Sequence, residues 1–244
     1  MKIKLLIPTA ILLCFNAIAQ QKDTIPLIIK DTNLSYKHFI IPATLVSVGL
    51  VMKNTQMNKT LQRDFRNVYG NNFHSKADNF LQFAPLLQIY GGRFLGLKSK
   101  NDFLHQNINI AMSMAIMCGI VKTMKHTLKE VRPDGSNHFS FPSGHTATAF
   151  TTASLLFYEY KDADIWYASS GYLFATATGI MRISNNKHYT SDVLAGAGIG
   201  VGVGLAVSYW SPFKSVTFGK NKKTHAMIYP QIGESYGIGL LIKN

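Results

Sequence analysis

Apolar residues in this chain come in six long runs separated by short polar links, and none of the six alternates strictly. The runs cover residues 38–52, 77–97, 102–125, 144 to about 158, 164–182 and 191–210, and they are rich in Ala, Met and Leu. Runs of that length without a two-residue period predict helices. The second is amphipathic and breaks near Gly91-Gly92. The sixth holds Gly196, Gly198, Gly200, Gly202 and Gly204, a density that lowers helix propensity and makes sense where backbones pack closely. Beyond Ser211 the pattern changes: residues 226–229 and 237–242 flank Gly233-Glu234-Ser235, predicting two short strands and a turn. The expected architecture is all-α, a six-helix bundle followed by a short C-terminal β-hairpin-like tail.

The first residues differ from these runs. Lys2 and Lys4 precede an apolar stretch at 5–18, and Ala17-Ile18-Ala19 offers a small-x-small cleavage site, the pattern of a secretory signal peptide. The domain plan is therefore a signal peptide at 1–19, an extended segment at 20–36, a helical domain at 37–210 and a tail at 211–244. Cleavage after Ala19 removes Cys14 and leaves Cys118 alone, so the exported chain has no internal disulfide.

Charge narrows the partners. Twenty-five basic residues against 12 acidic ones give a formal charge of +13 over 244 residues, which favours phosphate esters and anionic lipid surfaces. Nucleic acid is set aside, because no helix-turn-helix, zinc-finger or RNA-binding signature accompanies the charge. The third, fifth and sixth runs approach the roughly 20 apolar residues that a spanning helix needs. The fourth is short and carries Thr146, Thr148, Thr151 and Thr152, and the mean hydropathy is only +0.07. Membrane association in the bacterial envelope is expected, with a soluble periplasmic bundle as the alternative.

Three polar clusters carry the candidate chemistry. In the first, Lys125 and Arg132-Pro133 are seven residues apart, which on a continuous helix places them on one face. In the second, Phe141-Pro142-Ser143-Gly144-His145 opens the fourth helix, presenting backbone N–H groups and a hydroxyl to an anion, with His145 placed to pass a proton. In the third, Arg182 supplies a two-pronged donor, and His188 and Asp192 lie four apart around a helix start. An Asp so placed holds one ring nitrogen and frees the other to attack. An out-and-back hairpin of the fourth and fifth helices returns Arg182 to the end where His145 begins, and the sixth starts there too. All three clusters then meet at one mouth of the bundle. His126 reads as a local surface residue, His138 lies in the loop between the first two clusters with a place at the mouth as the alternative to the surface, and His38, His74, His105 and His225 show no metal-ligand spacing.

Together these blocks resemble the type 2 phosphatidic acid phosphatase (PAP2) superfamily, which includes vanadium haloperoxidases and bacterial acid phosphatases. Its pattern is a Lys, six residues and Arg-Pro; then Pro-Ser-Gly-His; then Ser-Arg, five residues, His, three residues and Asp. Here it stands as Lys125 with Arg132-Pro133, Pro142-Ser143-Gly144-His145, and Arg182, His188 and Asp192. Met181 replaces the usual Ser, and the stretch between Pro133 and Pro142 is short. The resemblance implies a phosphatase without metal or cofactor. Lys125, Arg132, Ser143, Gly144 and Arg182 would bind phosphate. His188 would attack phosphorus, oriented by Asp192, and His145, protonated at the start, would serve the leaving group. Expected substrates are phosphorylated lipids such as phosphatidate, phosphatidylglycerophosphate, undecaprenyl diphosphate or lipid A. A soluble non-specific acid phosphatase and a vanadium-dependent haloperoxidase are the alternatives.

Overall fold

The computed structural model describes residues 35–70 and 72–210, with the backbone of 225–231 and 237–243. The expected signal peptide, nearly all of the extended segment and the Gly233-Glu234-Ser235 turn lie outside the described residues.

Eight α-helices run through the described residues: α1 (Ile40–Met52, entered through a 3-10 turn at Tyr36–Phe39), α2 (Gln56–Tyr69), α3 (Ala77–Leu81), α4 (Ala84–Phe94), α5 (Phe103–Leu128), α6 (Gly144–Tyr160), α7 (Ile165–Ser184) and α8 (Thr190–Trp210). Two strands, β1 (His225–Gln231) and β2 (Gly237–Lys243), pair antiparallel. The starts follow ordinary capping chemistry. Thr55 accepts from the Asn58 N–H, Asp102 from His105, and Asp164 from both Trp166 and Tyr167.

The all-α reading holds, but six helices become eight. The second apolar run divides at Gln82-Phe83, where Pro85 opens the first turn of α4, and Gly91 and Gly92 lie inside that helix. The eighth helix is α2, in a stretch the hydrophobic pattern leaves as a link. Its buried residues are Asn58 and Gln62, whereas Met57 and Val68 are exposed, so its polar side faces the protein.

At the centre, α6 packs against both α7 and α8, and α8 packs in turn against α1 and α5. The glycines of α8 make this possible. A Cβ at Gly196, Gly200 or Gly204 would come within 2.6 Å of Ser143 O, Ala147 O or Ser154 Cβ, all on or next to α6. Gly198 meets Pro42 O of α1 at the same distance. One apolar cluster joins Met117 and Val121 of α5 to Ala147 and to Ile199, Val203 and Val207 of α8. Another seats Tyr160, fully buried, against Ile89 and Leu156, with its hydroxyl donating to Ile89 O at 2.6 Å. These contacts fix the ends of α5, α6, α7 and α8, where the polar clusters sit. Helices α5 and α8 are long and apolar enough to cross a membrane; α5 is mostly exposed, and α8 is more enclosed. Exposed Phe80, Leu87, Phe94, Leu95, Phe103 and Trp166 add further apolar surface.

Candidate active site

The site is built on the start of α8. The Asp192 carboxylate, fully buried, accepts through Oδ2 from Ser140 Oγ (2.5 Å), the Tyr189 N–H (2.9 Å) and His188 Nδ1 (3.2 Å). Its other oxygen takes Ser191 Oγ at 3.2 Å. Four donors on one carboxylate hold it in a single position. Because Nδ1 of His188 is engaged, Nε2 is the ring nitrogen available for attack. Burial, with Arg182 and Lys125 adding to it against the pull of Asp192, lowers the His188 pKa to about 4, so the ring is neutral at pH 7.

The Ser143 turn is tied to the same carboxylate's backbone, since the Ser143 N–H donates to Asp192 O at 2.9 Å. The preceding Phe141–Pro142 peptide is cis. Ser143 is buried and its Oγ accepts from Thr146 Oγ1 at 2.9 Å. His145, one residue into α6, donates from Nε2 to Asn79 Oδ1 at 3.0 Å. Burial first, then Arg182, lowers its pKa to about 4 as well. In the free site the ring is therefore neutral at pH 7, because burial and then the nearby cations disfavour a positive charge on it.

The cations come from three directions. Lys125, in the last turn of α5, donates to Phe139 O (2.5 Å) and Ser140 O (3.2 Å). Arg182, near the end of α7, donates from Nη1 to Asp78 Oδ2 at 2.6 Å, and both side chains are buried. Arg132 does not share a helix face with Lys125. Helix α5 stops at Leu128 because Lys129 turns left-handed (φ 44°), and Arg132 reaches the site from the following loop. That loop is short and pinned: Ser140 N–H donates to Glu130 O, Arg132 N–H to Asn137 O, and Lys187 Nζ to Asp134 Oδ2 at 2.5 Å. Arg182 adds to burial in lowering the Arg132 pKa, and both arginines add to burial at His145. The Nε–H groups of both arginines are buried and donate to nothing among the described residues. Such donors cost free energy unless an acceptor meets them.

The structure thus brings Lys125, Arg132, Ser143, Gly144, His145, Arg182, His188 and Asp192 into one neighbourhood. It adds residues the motifs do not contain. Asp78 and Asn79, adjacent on α3, hold Arg182 and His145 respectively. Asn185 donates to Asp78 Oδ2 and exchanges hydrogen bonds with the Ser75 backbone. Asn58 both donates to Ser191 Oγ and accepts from its N–H. The available signal was Asp78-Asn79 itself, a carboxylate in an acid-poor chain set inside an apolar run. No three His, Cys, Asp or Glu side chains gather as a metal site would require among the described residues.

Residues 107–215 match the PAP2 superfamily. Among curated proteins, the lipid A 1-phosphatase of Porphyromonas gingivalis is 40% identical over 154 residues, which is 63% of this chain but 34% of that protein. The chain therefore spans about a third of that relative's length. Among solved structures, Aquifex aeolicus LpxE aligns with a TM-score of 0.47 at 22% identity, covering 64% of this chain and 97% of its own. A transmembrane PAP2-type phosphatidylglycerolphosphate phosphatase from Bacillus subtilis aligns with a TM-score of 0.45 at 17% identity, covering 77% and 100%.

Proposed function

Through residues 107–215 the chain belongs to the PAP2 superfamily, and from that premise we propose that it is a metal-independent phosphatase acting on a lipid phosphate. The observation that carries this reading is the pair of buried arginine Nε–H groups without acceptors, beside a neutral histidine whose other nitrogen is locked. The oxygens of a phosphate ester supply those acceptors, in the two-pronged geometry that guanidinium groups favour.

In the proposed reaction, Lys125, Arg132 and Arg182 neutralise the non-bridging oxygens, and Ser143 Oγ and the Gly144 N–H add hydrogen bonds. His188 Nε2 attacks phosphorus as the bond to the leaving oxygen breaks. That oxygen takes a proton from His145, and the product alcohol departs from a phosphohistidine. Water then gives a proton back to His145 while its oxygen bonds to phosphorus, breaking the P–N bond and releasing inorganic phosphate. The charge of bound phosphate opposes the three cations and raises the His145 pKa from its free value, so substrate binding itself loads the acid.

A lipid A-type phosphate stands first among substrates, on the likeness to the Porphyromonas gingivalis protein. Phosphatidate, phosphatidylglycerophosphate and undecaprenyl diphosphate follow. We place the protein in the bacterial envelope, exported by residues 1–19 and membrane-associated through its exposed apolar helices, with the site on the periplasmic side. The test is phosphate release by purified protein from a panel of these lipids, with and without EDTA, against His188→Ala. Release that survives EDTA and disappears in the variant supports the reading, and EDTA-sensitive release or an active variant overturns it. Extraction by high salt alone would move the protein to the soluble periplasm.

A further inference from the structure

The α1–α2 turn and the residues that follow α5 enclose a cleft of about 400 Å³ whose lining includes Lys53, Asn54, Lys59, Lys129, Glu130 and Tyr189. None of the phosphate-cluster side chains lines it. It nevertheless adjoins that cluster along the chain, since Tyr189 follows His188 and Glu130 lies two residues before Arg132. Glu130 O also accepts from the Ser140 N–H, and Ser140 Oγ holds Asp192.

The cleft carries an excess of positive charge. Its one carboxylate, Glu130, is half-buried, with an enclosed Oε2 that lies 3.7 Å from Lys53 Nζ and makes no hydrogen bond. Lys59 and Lys129 are exposed and have no carboxylate partner among the described residues. Burial also pushes the Glu130 carboxyl up to about 7, which makes the lining more positive still below neutrality. Its backbone is unusual as well. Of the non-glycine residues at positive φ among the described residues, Asn54 (66°) and Lys129 (44°) both line this cleft. Side chains rarely sit in that region unless their surroundings hold them there, and such positions concentrate where ligands are clamped. For Lys129 the consequence is direct: the left-handed turn ends α5 and puts the lysine at the cleft rather than on the helix face.

We infer that this cleft is a second anion subsite, which holds a phosphate-like group on the headgroup of the same amphiphile whose scissile phosphate occupies the Lys125–Arg132–Arg182 cluster. This assignment rests on the phosphatase reading for its substrate but on separate residues for its chemistry. It makes headgroups with two anionic groups the preferred class.

The experiment uses the full chain in detergent and lipid A carrying two phosphates or one. The parent should favour the two-phosphate form through a lower KM, and Lys59→Gln/Lys129→Asn should erase that advantage, roughly three- to tenfold for two screened charges. Asn suits the left-handed turn at 129, so the variant keeps the fold. Equal KM values for the two lipids in the parent, or an advantage that survives the substitutions, overturns the subsite and leaves the phosphatase reading standing. Equilibrium binding of both lipids to His188→Ala separates the two ideas. Tighter binding of the two-phosphate form there, with no turnover by the parent, keeps the subsite and sinks the phosphatase. Should the double substitution change inhibition by inorganic phosphate while the lipid preference stays, the cleft belongs to the free anion and the headgroup assignment is overturned.

Discussion

Replacing Asp78 by Asn tests how the site tolerates its own charge. Asp78 Oδ2 accepts from Arg182 Nη1 at 2.6 Å and from Asn185 Nδ2 at 3.1 Å, with the arginine and aspartate side chains 8% and 2% exposed. The amide keeps the shape but removes the charge that offsets a buried guanidinium whose Nε already lacks an acceptor. Breaking a buried pair on one side costs about 3–5 kcal/mol. The amide oxygen still accepts one hydrogen bond, so we take the lower end, about 3 kcal/mol, or roughly 6–12 °C in Tm for a chain of this size. Phosphate then becomes the missing counter-charge. Ligand binding to the folded state alone stabilises by about 2.7 kcal/mol at a hundredfold excess over Kd, and Asp78→Asn should tighten that Kd. The assay is a thermal melt in detergent for parent and variant, with and without inorganic phosphate. The variant should melt lower, and phosphate should raise its Tm by more than it raises the parent's. A variant within about 2 °C of the parent, or an equal phosphate increment in both, refutes the reasoning.

Other outcomes follow from the same geometry. Two histidines with pKa values near 4, one needed neutral and one needed protonated, place the maximum of kcat/KM on the acid side of pH 6.5. The acid limb is His188 losing its proton as pH rises, and the alkaline limb is His145 losing its own. In kcat the alkaline limb should move to higher pH, and coincident limbs would contradict substrate loading of His145. Ser140→Ala removes a 2.5 Å donor from Asp192 and should lower kcat about tenfold or more with little change in KM, read from steady-state kinetics. Gly200→Leu would drive its side chain into Ala147 O and should abolish folded yield in size-exclusion chromatography. Gly119→Ala, on α5 with open space around it, should raise Tm slightly, by about 0.5–1 kcal/mol of helix propensity.

What the sequence made legible and what it hid have different physical origins. The core helices could be read because their burial is continuous: α6 is enclosed along nearly its whole length, and its apolar run is correspondingly unbroken. The three polar clusters stood out because each packs restricted residue types at fixed spacing into a short block. The supporting layer could not. Asn58 meets Ser191 across 133 positions and Asp78 meets Arg182 across 104, and no local period encodes such pairs. Arg132 lies off the predicted helix face for another reason. A seven-residue spacing presumes an unbroken helix, and a lysine in a left-handed turn gives no warning of the break. Helix α2 leaves no hydrophobic pattern because its polar residues Asn58 and Gln62 point inward while Met57 and Val68 point outward.

That inversion has a practical side. Along α2 the inward positions are Asn58, bonded to Ser191; Gln62, bonded to Asn186; and Arg66, which donates to Ser184 O at 2.6 Å. Each is specified by a named partner, so its tolerance of substitution is narrow even between polar residues. The outward positions Met57 and Val68 have no such specification, and a mutational-tolerance map of this helix would run opposite to that of an ordinary surface helix. Re-surfacing therefore has a defined starting point. Glu or Lys at those two positions should raise solubility outside detergent while leaving untouched the polar contacts that brace the start of α8.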